Sequence, residues 1–510
     1  MSLKRRIILN VASNWASMFV TAVAGLIVVP FILTKVGSTG YGVWALLAYG
    51  LAYPQLLEAA FALSINRFVA FYRQDTKQLN AFVSASFVIM IVLSIVTIAA
   101  AVAVSFFLSD LFRAITPEFQ RSAQITCILV GVTLAMQMLQ STHSGALRGY
   151  EYYTRSNAVL IVASILRVAM IIGFLMFWKS IVAIQVAYVI SMALAAIATF
   201  IVAHYSIDGL KINLKLINRA VLRELWIYTY HSIARSGSTI IMFNTLTLLV
   251  GWKGTAQDVM VYDIGFKFPN LIRSLLGGIQ NVFLPVVTNL KANGQVEAVK
   301  SIVKRMTQMC FILTLIVIIP LIILAEPLLR FWIRKDFSDN LVVVMNILTI
   351  SSLPDGLFGL WLPVLVGVGH LRWLTRMSVG GAIAAIAMTF VLMLGFVSVP
   401  MAPSISLLVT MWIYRGIWLP LYGIKKLEIG LAEYFKDSMA KSMVASVVSF
   451  VVAFGLQYFL TEYKFHFLIQ AFTITALVTA IFAVVAARQE TGELFSRVIK
   501  TLQRGKECRS

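Results

Sequence analysis

The sequence predicts an all-α integral membrane protein of about fourteen transmembrane helices, arranged as two six-helix lobes related as parallel repeats plus two C-terminal helices. Three observations predict it. The 510 residues are 60% hydrophobic and only 12% charged, against about 25% charged in a soluble chain. Apolar runs of bilayer-crossing length, about 20 residues each, follow one another almost from end to end. Lys and Arg are distributed unevenly between the segments that join those runs, and this asymmetry absorbs most of the net charge of +21.

The runs lie near 7–33, 41–66, 81–108, 122–145, 154–177, 180–205, 225–250, 257–287, 306–329, 341–368, 374–398, 401–424, 439–460 and 466–487. The second, seventh, eighth and tenth are the least apolar, because each carries ionisable residues. The first follows MSLKRR, is too long for a signal-peptide core and lacks a small-residue cleavage site, so it reads as a retained span. With the N-terminus inside, the inside segments hold roughly three times the Lys and Arg of the outside loops, which predicts both termini in the cytoplasm of a multi-pass inner (plasma) membrane protein. The positive charge is then a topology signal and calls for no nucleic acid. Cys127 and Cys310 fall inside spans and Cys508 in the tail, so no disulfide is expected.

The expected organisation is an N-lobe over 1–205, a linker over 206–224, a C-lobe over 225–424, spans 13 and 14 over 425–488 and a cytoplasmic tail over 489–510. In the linker, Lys211, Lys215, Arg219 and Arg223 recur every four residues while Leu210, Leu214, Ile217 and Val221 line another face. That pattern predicts an amphipathic helix on the anionic leaflet, with a solvated connector as the alternative. GSTGYGVWALLAYGLAYPQ, opening span 2, has a loose counterpart about 218 residues on in GTAQDVMVYDIGFKFPNLI, opening span 8. Since spans 1 and 7 both start inside, the lobes would be parallel repeats, an architecture that places a substrate site between them near the midplane.

Four stretches carry a resemblance: NVASNWASMFVTAVAGLIVVPFILTKVGSTGYGVWAL, LLEAAFALSINRFVAFY, GALRGYEYYTRSNAV and AEPLLRFWIRKDFS. In their order and spacing the chain resembles the oligosaccharide flippase branch of the multidrug/oligosaccharidyl-lipid/polysaccharide exporter superfamily. The resemblance implies a two-lobed alternating-access transporter. Its implied cargo is a polyprenyl-pyrophosphate-linked oligosaccharide, flipped across the plasma membrane for surface polysaccharide assembly. Membrane lipids and other polysaccharide assembly proteins are the remaining implied partners. The Arg-rich opening and DAF-type second span of lipid II flippases are absent, and the first span has no acid of the kind that drug-exporting relatives use for cation coupling.

An intramembrane charge costs at least about 2.5–3.5 kcal/mol, so the ionisable residues inside spans are the candidate site. Arg167, Arg235 and Arg273 lie near mid-span and are expected to contact the headgroup or sugar, because guanidinium forks replace the hydration of a pyrophosphate. Lys267, His231 and Arg67 join them as candidate lumen residues. Asp355, in SSLPDGLFG beside Pro354, is a candidate hinge or ion site, with the helix expected to kink or unwind there. Glu58 and Asp263 are coupling candidates. The blander expectations are that Glu58 pairs with an arginine, that Asp263 and Lys267 neutralise each other at i, i+4, and that Arg415 snorkels. No phosphate loop precedes a Lys-Ser/Thr, no metal-ligand cluster is present, and no cofactor is expected. A cation-coupled multidrug exporter and a polytopic polymerase or ligase are the alternatives, although the outside loops are short for an enzyme.

Overall fold

The computed structural model describes residues 3–50, 53–281, 283–334, 337–463 and 466–487, with the side chains of 3–8, 11, 231–236, 238–239, 279, 281, 285, 441 and 485–487 excepted. The expected tail, 489–510, lies outside the described residues. Among those described there is helix and no strand. The main helices are α1 (Leu3–Gly50), α2 (Pro54–Phe71), α3 (Thr76–Phe106), α4 (Gln120–Gly149), α5 (Tyr153–Phe177), α6 (Ile181–Ser206) and α7 (Arg219–Lys253). They continue with α8 (Ala256–Asn281), α9 (Val296–Ile323), α10 (Asp339–Phe358), α11 (Leu371–Leu392), α12 (Met401–Met411), α13 (Lys441–Glu462) and α14 (Phe467–Ala487).

Among the described residues, 11 helices are long and apolar enough to cross a membrane. The others of the expected spans, α2, α7 and α8, are helical but carry the charges. Boundaries differ from expectation at several spans, three of which are as follows. Gly37 (φ 75°) divides α1 into two helices at the expected turn between spans 1 and 2, but the second of them stops at Gly50 and α2 carries the rest of span 2. Span 9 stops at Ile323, and a separate helix, Ala325–Ile333, follows. Span 11 ends at Leu392, short of the expected 398.

The contacts divide the chain into two compact units, Met1–Asp263 with Thr389–Pro400 and Ile264–Met388 with Met401–Ser510. This grouping follows packing, whereas the expected lobes follow sequence repetition, so the two divisions fall at different places. In the first unit α4 is the hub, packed on α2, α3 and α6. A Cβ on Gly131 would sit 2.5 Å from that of Ala101, and one on Gly145 would sit 2.9 Å from the Ala62 carbonyl. Glycine is what lets these helices close. α7 belongs to this unit, tied to α2 by Ser64 and Thr229 hydroxyls 2.8 Å apart.

In the second unit α9 is the hub for α10, α13 and α14. Its core runs from Val303 and Leu315 through Trp361 to Ala453 and Phe482, so spans 13 and 14 share it. Trp361 Nε1 donates to the Tyr434 hydroxyl (3.0 Å), itself 3.1 Å from Thr307 Oγ1.

The linker is not the expected amphipathic surface helix. After Gly209 (φ 73°) the chain runs extended to a single 3-10 turn, Leu214–Leu216, and α7 begins at once. Asn80 explains the difference. Its amide donates to Gly209 O (2.8 Å) and accepts from Lys211 N (3.0 Å), while Ser84 Oγ accepts from Asn213 N (2.8 Å). These side chains of α3 take the backbone groups a helix would have paired internally. The apolar face survives: Leu210 and Val221 are buried in the core with Leu79 and Phe82.

Two turns, one in each unit, share a C-cap geometry. Glu151 (φ 63°) ends α4 and Gly369 (φ 94°) ends the helix Trp361–Gly367, about 218 residues apart. Each is followed by the same closing bond, Tyr152 N to Leu147 O (2.9 Å) and His370 N to Leu365 O (2.8 Å), the left-handed C-cap geometry.

Candidate functional site

The most heavily charged interior cluster of the described residues is in the second unit, and its construction starts from Pro354. Proline has no N–H, so the carbonyl one turn earlier, Ile350 O, loses its helical donor. Trp412 Nε1 supplies one from across the interface at 3.3 Å. Trp412 opens a π-helical turn, Trp412–Trp418, that links α12 to the helix Leu419–Lys426. This turn carries Arg415, which pairs with Asp355. From the other side Arg273 Nε reaches Asp355 Oδ2 at 2.9 Å, and Arg273 also lies within 3.2 Å of Ser351 Oγ. The Phe266 ring is 5.6 Å from its guanidinium carbon.

All three charged groups are sheltered, at 8% exposure for Asp355, 10% for Arg273 and 18% for Arg415. One carboxylate thus serves two guanidiniums. Gln280 Nε2 donates to the Asp355 carbonyl (2.8 Å), and a Cβ on Gly356 would clash with Thr314 at 2.2 Å, so backbone and side chain are both fixed. The helix does not unwind at Asp355. α10 continues to Phe358 and breaks at Gly359 and Leu360, before Trp361–Gly367, because Trp412 and Gln280 satisfy the groups that proline and its neighbours disturb. Arg415 does not snorkel either, since the π turn directs it inward to the acid.

The first unit holds its acids differently. Asp263 accepts hydrogen bonds from Tyr41 (2.5 Å) and Tyr49 (2.8 Å), both on the part of α1 beyond Gly37. Gly42 makes this approach possible: its Cβ would fall 1.8 Å from Ala256 O of α8. Trp44 Nε1 donates to Gln185 (3.3 Å), whose amide donates to Thr133 (2.8 Å). Trp44 also packs 5.8 Å from Tyr188. Arg167 lies over that Tyr188 ring at 4.8 Å and donates to Ser191 Oγ at 3.3 Å. Glu58 accepts from the Gln137 amide (2.8 Å), and Arg148 lies close enough to act on it electrostatically.

Arg67 is exposed at the end of α2, 4.4 Å from the Tyr228 ring. Lys267 is half-buried on α8. His231 and Arg235 are on α7, but their side chains lie outside the described residues. The structure therefore brings Arg273 together with Asp355, and places Arg167, Asp263, Glu58 and Arg67 in separate contacts of the first unit. Among the described residues no group of three His, Cys, Asp or Glu side chains could hold a metal ion.

Sequence reasoning passed over Tyr41, Tyr49, Gln137 and Trp412. Trp412 carried a signal, since an indole three residues before an intramembrane Arg is a donor in need of an acceptor. Tyr41 and Tyr49 carried a weaker one, two phenols in a span that also contains glycines permitting close approach.

Residues 68–340 match the family described as polysaccharide biosynthesis protein. The chain is 22% identical over 366 residues to the uncharacterized membrane protein EpsK of Bacillus subtilis (strain 168), covering 69% of this chain and 71% of that one. Its fold is similar to that of the lipid II flippase MurJ in an inward closed conformation, with a TM-score of 0.71 and 15% identity over 94% of this chain and 99% of that one. It is also similar to the inward-facing conformation of a multidrug resistance MATE family transporter of the MOP superfamily, with a TM-score of 0.66, 14% identity and coverage of 78% and 94%.

Proposed function

The chain belongs to the polysaccharide biosynthesis protein family, and on that footing we propose that it is a flippase translocating a polyprenyl-pyrophosphate-linked oligosaccharide across the plasma membrane by alternating access. The glycan feeds surface polysaccharide assembly, and both termini face the cytoplasm, the side the Lys and Arg excess assigns them. Transport, rather than polymerase or ligase chemistry, is the reading that fits the family and a fold similar to a flippase and a multidrug transporter.

The observation that carries the reading is the second unit's surplus of positive charge: two guanidiniums share the single Asp355 carboxylate. A purely structural ion pair needs one arginine. A second one in a sheltered site costs desolvation and is retained where an anionic guest compensates it. Arg415 keeps a buried Nε with no hydrogen-bond partner among the described residues, a donor suited to a phosphate oxygen.

A strain lacking the gene should accumulate the lipid-linked glycan on the cytoplasmic face. Complementation with Arg235→Ala, Arg273→Ala or Arg415→Ala should restore export poorly, while each variant inserts at normal levels. Wild-type export by all three would remove these arginines from the site, and failure to extend the glycan in the deletion strain would point to an enzyme instead. The second reading, a cation-coupled multidrug exporter, draws on the likeness to the MATE transporter. Efflux of organic cations separates it from the first. Against it stands Asp355, whose carboxylate already holds two cations of the protein's own.

A further inference from the structure

One polar cluster in the second unit has no place in the transport reading. It lies where the helix Trp361–Gly367 gives way to α11, facing the end of the helix Leu419–Lys426. The Tyr422 hydroxyl is 3.1 Å from His370 Nδ1, and the Tyr422 ring stacks on Trp373 at 3.7 Å and 6°. Lys426 Nζ lies 5.7 Å from the same tyrosine ring. Lys291 donates to Val368 O, two residues before the histidine. We infer that this turn binds the phosphate of an anionic phospholipid headgroup through Lys291, His370 and Lys426.

Helix capping accounts for part of the arrangement, since Lys291 satisfies a C-terminal carbonyl. It does not account for the rest. The tyrosine hydroxyl fixes the imidazole with Nε2 turned to the far side, and the stacked Trp373–Tyr422 plate holds it there. The charged groups acting on His370 are Lys426 and Lys291, both positive, and together with partial burial, the larger cause, they hold its pKa below the usual histidine value. A bound oxyanion relieves that repulsion and completes three donors around one phosphate.

The ligand is a lipid rather than a dissolved ion because the flanks are apolar and open. Leu371, next to His370, is 40% exposed and Leu421, next to Tyr422, is 45% exposed. Trp and Tyr plates of this kind are also the usual furniture of the headgroup layer. A turn of the first unit with the same closing backbone bond also sets cations over tyrosine rings. Arg73 and Arg155 lie 4.8 and 4.7 Å from Tyr150 and Tyr152, and those rings stack at 5.9 Å.

The test is a thermal-shift titration of the purified full chain in neutral detergent with short-chain phosphatidylglycerol, phosphatidylcholine or inorganic phosphate at pH 7.5 and 5.5. Phosphatidylglycerol should stabilise most, and more at pH 5.5, because the bound phosphodiester, whose own charge is constant, favours the protonated form of His370. Lys426→Gln, at an exposed side chain, should weaken the apparent Kd about fivefold. His370→Gln should remove the pH difference. Equal stabilisation by inorganic phosphate would reassign the site to a dissolved anion, and equal stabilisation by phosphatidylcholine would end the charge argument. Wild-type behaviour of both variants would overturn the inference, and the wild-type pH series reads the same claim if a variant fails to fold.

Discussion

Each unit holds acids within its helices, and the side chains that donate to them differ in kind. In the first, half-buried Glu58 takes one hydrogen bond from the neutral Gln137 amide, and Asp263 is gripped by two phenols. In the second, Asp355 is wedged between Arg273 and Arg415. A neutral donor beside an acid is not itself left as a buried charge when that acid is protonated. Two guanidiniums are, because removing the negative charge leaves two sheltered cations facing each other. The comparison places a doubly paired carboxylate in the second unit, and neutral hydrogen-bond donors beside the acids of the first.

The largest effect that would break this comparison is at Asp355. Asp355→Asn should cost on the order of 3–5 kcal/mol of apparent stability, read as a large fall in the thermal midpoint in detergent. Adding Arg415→Met should recover part of it, since one stranded cation is then gone. A melt unchanged by Asp355→Asn would mean the triad holds nothing together.

Tyr41→Phe comes next, at about 1.5–3 kcal/mol for a hydrogen bond to a charged group, with Tyr49 left to hold Asp263. The same assay checks it, and a loss as large as that of Asp355→Asn would erase the contrast between the units. Trp412→Phe removes the donor to Ile350 O and should cost about 1 kcal/mol, because an under-satisfied carbonyl is tolerated better than an orphaned donor.

Glu58→Gln is the smallest, below about 1 kcal/mol, and glycan export should persist. Abolished export with normal stability would instead make Glu58 a proton carrier, and would sharpen the first unit into the coupling half.

Much of the fold was legible because the bilayer forces it. A segment whose backbone must satisfy itself in hydrocarbon is a helix, so the apolar runs are helical, with ends that differ by several residues from those expected. The misreadings cluster where side chains override that rule. At the linker, Asn80 and Ser84 compete for the backbone and replace a helix with an extended strap. At Asp355, Trp412 repairs the proline defect and moves the helix break to Gly359. The sequence shows the charged candidates as charges, but not as partners: its spacing marks Arg273 and Asp355 separately, and nothing in it turns Arg415 from the interface toward the acid.

Composition and hydropathy period alone determined that the chain is helical and multi-pass, because the cost of exposing polar backbone to lipid is local and the same at every span. Which charge meets which was decided only by tertiary structure. Pairing depends on close approach at glycines such as Gly42 and on the π turn that rotates Arg415 inward, and neither a helix-to-helix distance nor a rotation about a helix axis is written in the spacing along one chain.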